Sequence, residues 1–285
     1  VKQIGLFVKQ DSAAQKTADA FEKWLQKKNV AVIRQNAFQP QLGLQTDRDT
    51  GVNPETMLCV FVLGGDGTFL SASRWIGEAS IPMIGVKFGD IGFLAEIAED
   101  SLFTAAQTVL DRDFEVESRA RLKVRIFSQG RLCVEETVLN DVVINKGALA
   151  RLANIETCID DHYLTTYRSD GLIVSTPTGS TAYCLAAGGP VVHPAVEGIL
   201  VTPICPFTLT NRVLIVPATS RIQIRLGEKA ADIVATFDGQ QGLEIAPTDT
   251  LLIEKSPSPL KLIKLPGHNY FDILKAKLRW SGGRI

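Results

Sequence analysis

The chain has 285 residues, 45% of them hydrophobic and 21% charged, which is enough for one large or two ordinary globular domains and excludes a disordered or fibrous chain. Thirty lysines and arginines against 31 aspartates and glutamates leave a net charge of -1. No global field favours nucleic acid or an anionic membrane, so any anion has to be bound locally.

In chain order, IGLFV (4–8) reads as a strand, AAQKTADAFEKWLQKK (13–28) as an amphipathic helix and VAVIRQ (30–35) as a second strand. A polar stretch (40–54) precedes the strand MLCVFVL (57–63), a helix over TFLSASRWIGEA (68–79) and the strand IPMIGVKF (81–88). This alternation predicts an α/β amino-terminal domain, a Rossmann-like parallel sheet, over residues 1–115. From about residue 116 the texture changes to short strands such as RLKVRIFS, NIETCIDDHYLTTYR, GLIVSTPTG, RIQIRLG and DTLLIEKS. They predict a β-rich carboxyl-terminal domain over 116–265. The tail YFDILKAKLRWSG (270–282) regains helical spacing, with Phe271, Leu274 and Leu278 on one face, and residues 266–285 are expected to pack back on the first domain as core. No linker separates the domains, so a fixed cleft between them is expected.

The five cysteines, Cys59, Cys133, Cys158, Cys184 and Cys205, are odd in number and widely spaced, which argues against disulfides and zinc knuckles and for a reducing cytoplasm. His162, His193 and His268 have no metal-ligand spacing. The apolar runs are far shorter than a bilayer span and lysines interrupt the opening VKQIGLFVKQ, so no membrane partner is expected.

The densest chemistry lies in LGGDGTFL (63–70). At the carboxyl end of a parallel strand, Gly64, Gly65 and Gly67 let the backbone approach a ligand, while the following helix points unpaired N–H groups at the turn. A phosphate chain suits that place. Asp66 is repelled by phosphate unless a divalent cation bridges them or the carboxylate serves as base for a hydroxyl attacking phosphorus. The competing reading is that Asp66 N-caps the helix beginning near Thr68. The turn lacks the P-loop lysine and the spacing of a dinucleotide G-x-G-x-x-G turn.

A second dense stretch, RSDGLIVSTPTGSTAYCLAAGGPVVHP (168–194), joins a charged pair, Arg168 and Asp170, to a strand and a loop of hydroxyls: Thr176, Thr178, Ser180 and Thr181. The loop offers donors to an anion or sugar, or else is a capped helix start, and Tyr183 can stack on a base. LNDVVINKG (139–147) sets Asn140 beside Asp141 before an apolar run, as a ligand pair or a strand-end cap, and FDGQQG (237–242) reads as a tight hairpin turn.

Taken together, GGDGTFL (64–70), GDIGFLAEI (89–97), LNDVVI (139–144), the long stretch at 168–190, FDGQ (237–240) and the tail resemble the bacterial NAD kinases over nearly the whole chain. The resemblance implies ATP-dependent phosphorylation of the 2'-hydroxyl of the adenosine ribose of NAD, giving NADP, with NAD and ATP as substrates and a homodimer or homotetramer as the assembly. It implies that Asp66 is the general base, that Gly67 contacts NAD, and that Gly64, Gly65 and Thr68 shape the phosphate turn. Asn140 and Asp141 match the pair that holds the adenosine, Arg151 and Arg168 fall at dinucleotide-contacting positions, and Asp170 takes the nicotinamide side. Thr181, Ala182, Tyr183, Cys184, Leu185 and Ala186 line the dinucleotide groove, and Gln240 closes it. A divalent cation, Mg²⁺, is expected to arrive with ATP, since no cage of carboxylates or histidines is visible. Lys87 and Ala95 depart from the family pattern, and Lys87 is read as the solvated end of a strand. A lipid kinase shares GGDGT but needs a membrane-docking face; a non-catalytic dinucleotide sensor would keep the groove without needing Asp66.

Overall fold

The computed structural model describes residues 3–44, 52–88, 92–147, 152–227, 232–267 and 269–280. The strands begin with β1 (Gln3–Val8), β2 (Ala31–Asn36), β3 (Gln41–Leu42), β4 (Met57–Leu63), β5 (Pro82–Lys87), β6 (Ala95–Ala98) and β7 (Glu115–Arg119). Among them lie the helices α1 (Ser12–Lys27), α2 (Asp66–Ile76) and α3 (Leu102–Leu110). There follow β8 (Leu122–Ser128), β9 (Arg131–Val138), β10 (Asp141–Lys146), β11 (Ala153–Ile159), β12 (His162–Ser169), β13 (Gly171–Ser175) and the short α4 (Tyr183–Ala186). The chain ends with β14 (Gly198–Ile204), β15 (Leu214–Pro217), β16 (Ile222–Leu226), β17 (Ile233–Phe237), β18 (Gln241–Ile245), β19 (Asp249–Lys255), β20 (Leu260–Lys264) and α5 (Tyr270–Leu278).

Two compact units result, one of Val1–Gln39, Asp47–Ser118 and Leu260–Ile285, the other of Pro40–Thr46 and Arg119–Pro259. The division falls before β20 rather than at 265/266, because LKLIK joins the first unit's sheet, pairing in parallel with β5 through Lys261 and Leu262. Residues 40–46 go with the second unit because β3 pairs with β18.

The first unit's sheet runs β2-β1-β4-β5-β20-β7, with β6 beside β5. β4 is buried on both faces, as an apolar run in a sheet covered by helices should be. α1 buries Ala14, Ala18, Phe21 and Leu25 at helical spacing, and its cap, Asp11, accepts the N–H of Ala14 at 2.8 Å. Burying Phe21 and Leu25 contributes roughly 1.5–3 kcal/mol each. Phe21 meets Phe61 of β4 edge-on at 5.1 Å. α2 starts two residues earlier than its pattern suggests and stops at Ile76, where Gly77 turns to φ 57°.

The second unit stacks two sheets, β15-β14-β13-β10-β17-β18-β3 and β12-β11-β16-β19-β8-β9. Val142, Leu172 and Phe237 from one face Val124, Ile155 and Leu251 from the other in a common core. The tail differs from its sequence reading. Leu274 is buried in α5, but Phe271 and Trp280 are 54% and 59% exposed, so these aromatics are not core. Among the described residues no helix is long and apolar enough to cross a membrane.

Candidate active site

In the first unit the chain runs from β1 to β2 on one side and then returns to place β4 on the other side of β1. The carboxyl ends of β1 and β4 therefore border the topological switch point, where open α/β sheets bind ligands. The N–H of Lys9 donates to the Leu63 carbonyl at 2.9 Å and that of Gly64 to Val86 at 2.9 Å, which ties the turn to both neighbouring strands. A side chain at Gly64 would strike Thr68 Oγ1 at 2.3 Å, whereas one at Gly65 would meet nothing within 4 Å. The turn is closed behind and open in front.

Asp66 does not cap the helix. The N-cap is Gly65, with no side-chain cap bond, and Asp66 is the first helical residue. Its carboxylate instead accepts three backbone N–H groups: Phe93 on Oδ2 at 2.9 Å, and Leu94 and Ala95 on Oδ1 at 2.9 and 3.3 Å. Two glycines make this possible. A Cβ at Gly92 would lie 2.0 Å from Asp66 Oδ1, and one at Gly85 would lie 2.6 Å from the Leu94 carbonyl and the Ala95 Cα. A carboxylate has about four acceptor sites, so three amides leave room for one more hydrogen. The group is fixed and still able to accept one further hydrogen bond.

The second unit repeats the device. Asp238 sits with φ 51° and Gly239 with φ 63° at the centre of the β17–β18 hairpin, the two left-handed positions of a type I' turn. Its carboxylate accepts the N–H of Leu139 at 2.9 Å, Asn140 at 2.7 Å and Asp141 at 3.2 Å. On the carbonyl side, Thr176 Oγ1 donates to Leu139 at 2.6 Å and the Thr176 N–H to Asn140 at 2.8 Å. Gly179 must be glycine because a Cβ would lie 2.2 Å from the Asn140 carbonyl oxygen. Asp141 is buried, and burial first, then the charge of Asp238, pushes its carboxyl up to about 7. Its acid and base forms are both accessible near neutrality.

The hydroxyl loop is mostly spent on itself. Ser180 Oγ donates to Pro177 and accepts from the Val192 N–H, Thr181 Oγ1 donates to Thr178, and Thr176 is engaged as above. These groups build the loop rather than offer free donors. Residues 178–181 form a 3₁₀ turn, and α4 has only four residues, so there is no long helix whose end could meet an anion. Among the described residues no group of three or more His, Cys, Asp or Glu is arranged to hold a metal ion.

Residues 4–114 match the family model for the ATP-NAD kinase N-terminal domain, and residues 139–265 that for the C-terminal domain. The chain is 51% identical over 285 residues to an NAD kinase of Desulfatibacillum aliphaticivorans, covering 100% of both chains. The chain belongs to the NAD kinase family. It is also 46% identical to the NAD kinase of Syntrophobacter fumaroxidans over 94% of each chain. The fold is similar to that of yeast NADH kinase complexed with NADH, with TM-score 0.84, 23% identity, and coverage of 100% of this chain and 89% of that one.

The other positions that the NAD kinase resemblance singles out lie in varied settings. Arg168 and Asp170 do not pair. Asp170 meets Lys146 Nζ at 2.9 Å, and the Arg168 guanidinium lies 4.8 Å from the ring centre of Phe207. The reason is that β12 and β13 belong to different sheets and Asp170 sits where the chain changes between them, turned toward β10. Tyr183 is 47% exposed; Thr181, Ala182 and Leu185 are half-buried, and Ala186 is exposed. Cys184 points inward against Val143, Ile173 and Leu200, within 3.2 Å of Thr202 Oγ1, so only its backbone can face a ligand. Gln240 follows Asp238 in the hairpin and its carbonyl accepts the Gln41 N–H at 3.1 Å. Gly67 is exposed at the start of α2, and Lys87, half-buried at the end of β5, lines a cleft with Lys16, Thr17 and Glu99. Arg151, His268 and residues 89–91 of the second motif lie outside the described residues. The sequence reading missed Asp238, Gly85, Gly92 and Lys146.

Proposed function

We propose that this chain transfers the γ-phosphoryl group of ATP to the 2'-hydroxyl of the adenosine ribose of NAD, giving NADP. The observation that carries the reading is the fixed carboxylate of Asp66 at the open end of β4, in a chain 51% identical over its full length to an NAD kinase. Asp66 is assigned as the base that takes the ribose hydroxyl proton. A carboxylate is a weak base for a sugar hydroxyl, so in a loose phosphoryl-transfer transition state its main contribution is to orient the attacking oxygen. Three amide bonds supply that orientation.

Gly64, Gly65 and Thr68 are assigned to the phosphate turn, and Gly67 to contact with NAD. Asn140 and Asp141 are assigned to the adenosine, where a carboxylate acceptor suits vicinal hydroxyls or an exocyclic amine. Arg168, Asp170, residues 181–186 and Gln240 complete the proposed NAD contacts, so NAD binding, apart from the Gly67 contact, is given to the second unit and the phosphate turn to the first. The described residues do not fit a resident metal cage. The divalent cation is proposed to travel on the ATP phosphates, where it neutralises charge. Assembly as a homodimer or homotetramer and a cytoplasmic location belong to the same proposal and rest on the resemblance and the cysteine spacing.

Incubation with ATP, Mg²⁺ and NAD, assayed for NADP, tests the reading. Phosphorylated product from diacylglycerol or sphingosine in place of NADP would favour the lipid kinase, and NAD binding with no product would favour the sensor.

A further inference from the structure

The corner at Leu139–Asp141 is where the chain passes from β9 in one sheet of the second unit to β10 in the other. A change of sheet leaves backbone groups outside both ladders, and buried ones need partners. On the carbonyl side Thr176 supplies them, with bonds of 2.6 and 2.8 Å. On the amide side one carboxylate does so, with three bonds of 2.7 to 3.2 Å, from a residue 97 to 99 positions away in sequence. The Asp238 N–H closes the arrangement by donating to the Asp141 carbonyl at 2.9 Å.

A hairpin alone does not require this. A type I' turn accepts asparagine at the first central position as readily as aspartate, so the turn explains a small polar residue at 238 but not a buried charge. We propose that Asp238 is a positioning residue for NAD: by gripping the amides of Leu139, Asn140 and Asp141 it fixes the corner from which Asn140 and Asp141 present their side chains to the adenosine. The inference rests on the reaction proposed above and adds a residue to it. Asp238 touches no reacting atom, so its effect belongs to dinucleotide binding.

Among the described residues, the titratable groups facing Asp141 are Asp238 from the hairpin and the Cys184 thiol from α4, which burial first and the Asp141 charge after it push up. The residue in register from β13 is Ser175, and Phe237 of β17 pairs with Val142; neither titrates. Removing the charge at 238 therefore removes the one carboxylate that opposes ionisation of Asp141.

The test is Asp238→Asn, which keeps the turn but sets an amide N–H₂ against at least one backbone N–H. Melting temperature is measured first, then kcat and KM for NAD and ATP from pH 5.5 to 9. At pH 8.5, where Asp141 is ionised in both proteins, KM for NAD should rise about tenfold. The KM for ATP and kcat should stay within about threefold. The midpoint of kcat/KM for NAD, expected about 7 in the wild type, should move acidward in the variant by about one pH unit. An unchanged KM for NAD overturns the assignment. So does a general loss in kcat and both KM values with a fixed midpoint, which is what mere destabilisation would give. If the asparagine variant does not fold, Asp238→Glu is read instead: KM for NAD rises at constant KM for ATP while the midpoint stays, and an unchanged KM for NAD again overturns the assignment. A wild-type protein that forms no NADP refutes the reaction and this assignment together. Normal wild-type turnover beside an unaffected variant refutes the assignment alone.

Discussion

Asp141 should weaken the fold it belongs to, and the effect can be measured. Its carboxyl is moved from 3.8 to about 7, by burial first and the Asp238 charge second. At about 1.4 kcal/mol per pH unit, ionising it in the folded protein costs about 4 kcal/mol more than in the unfolded chain. The sign follows from proton binding. Between pH 3.8 and about 7 the folded state holds this proton and the unfolded chain does not, so its contribution is complete below the lower value and is lost as pH rises to the upper one. Asp141→Asn removes that dependence. The amide needs buried partners of its own at every pH, a penalty of about 2 kcal/mol, so the expected net gain above pH 7 is about 2 kcal/mol and turns into a net loss of about 2 kcal/mol near pH 4. Urea unfolding of both proteins at pH 5 and pH 8.5 reads the difference directly. A gap of equal size at both pH values would refute the reasoning, since a charge-independent packing effect gives a constant offset. NAD binding should weaken in the same variant, so stability and affinity move in opposite directions.

Three further outcomes follow from the first unit. Asp66→Asn should lower kcat by about a thousandfold or more while NAD still binds, because the base is gone but the adenosine contacts remain; near-normal turnover would contradict the assignment. Gly92→Ala drives a methyl group to 2.0 Å from Asp66 Oδ1. Displacing the carboxylate by an ångström should cost about a hundredfold in kcat, measured with melting temperature as the control. Gly65→Ala adds a Cβ with nothing within 4 Å, at φ -96° where alanine is unstrained. The entropic gain of about 0.4–1 kcal/mol is offset by the poorer N-cap that alanine makes, so stability should hold to within about 1 kcal/mol while KM for ATP or NAD increases, and unchanged kinetics would show that no ligand uses that space.

The alternation of apolar strands and amphipathic helices made the first sheet legible, and the texture change near residue 116 marked the β-rich part. The asparagine–aspartate pair and the FDGQ hairpin were visible as well. What joins them was not. Asp66 binds amides 27 to 29 residues away and Asp238 amides 97 to 99 away, and a backbone N–H carries no sequence signature. The same blindness works in reverse at 176–181, where Ser and Thr look like ligand donors until their partners, Leu139, Pro177 and Thr178, are brought to them. Arg168 and Asp170 read as a pair because they are close in sequence, and the change of sheet between them parts them. Gly85 and Gly92 gave no signal because each is small for the sake of a neighbour, not of its own φ.

The edge strand β3 has a consequence for how the molecule is made. Gln41 pairs with Gln241 and Leu42 with Gly242, so the amino-terminal chain closes a sheet whose partner strand is synthesised two hundred residues later. Ribosomes extend chains at about 5–20 residues per second, so residues 41–42 spend roughly ten seconds or more without that partner. The pairing is a late and non-local event that pays its loop-closure entropy at the end of folding. A fragment cut at 119 and 259 would never complete it, leaving the β18 edge open to any other passing strand.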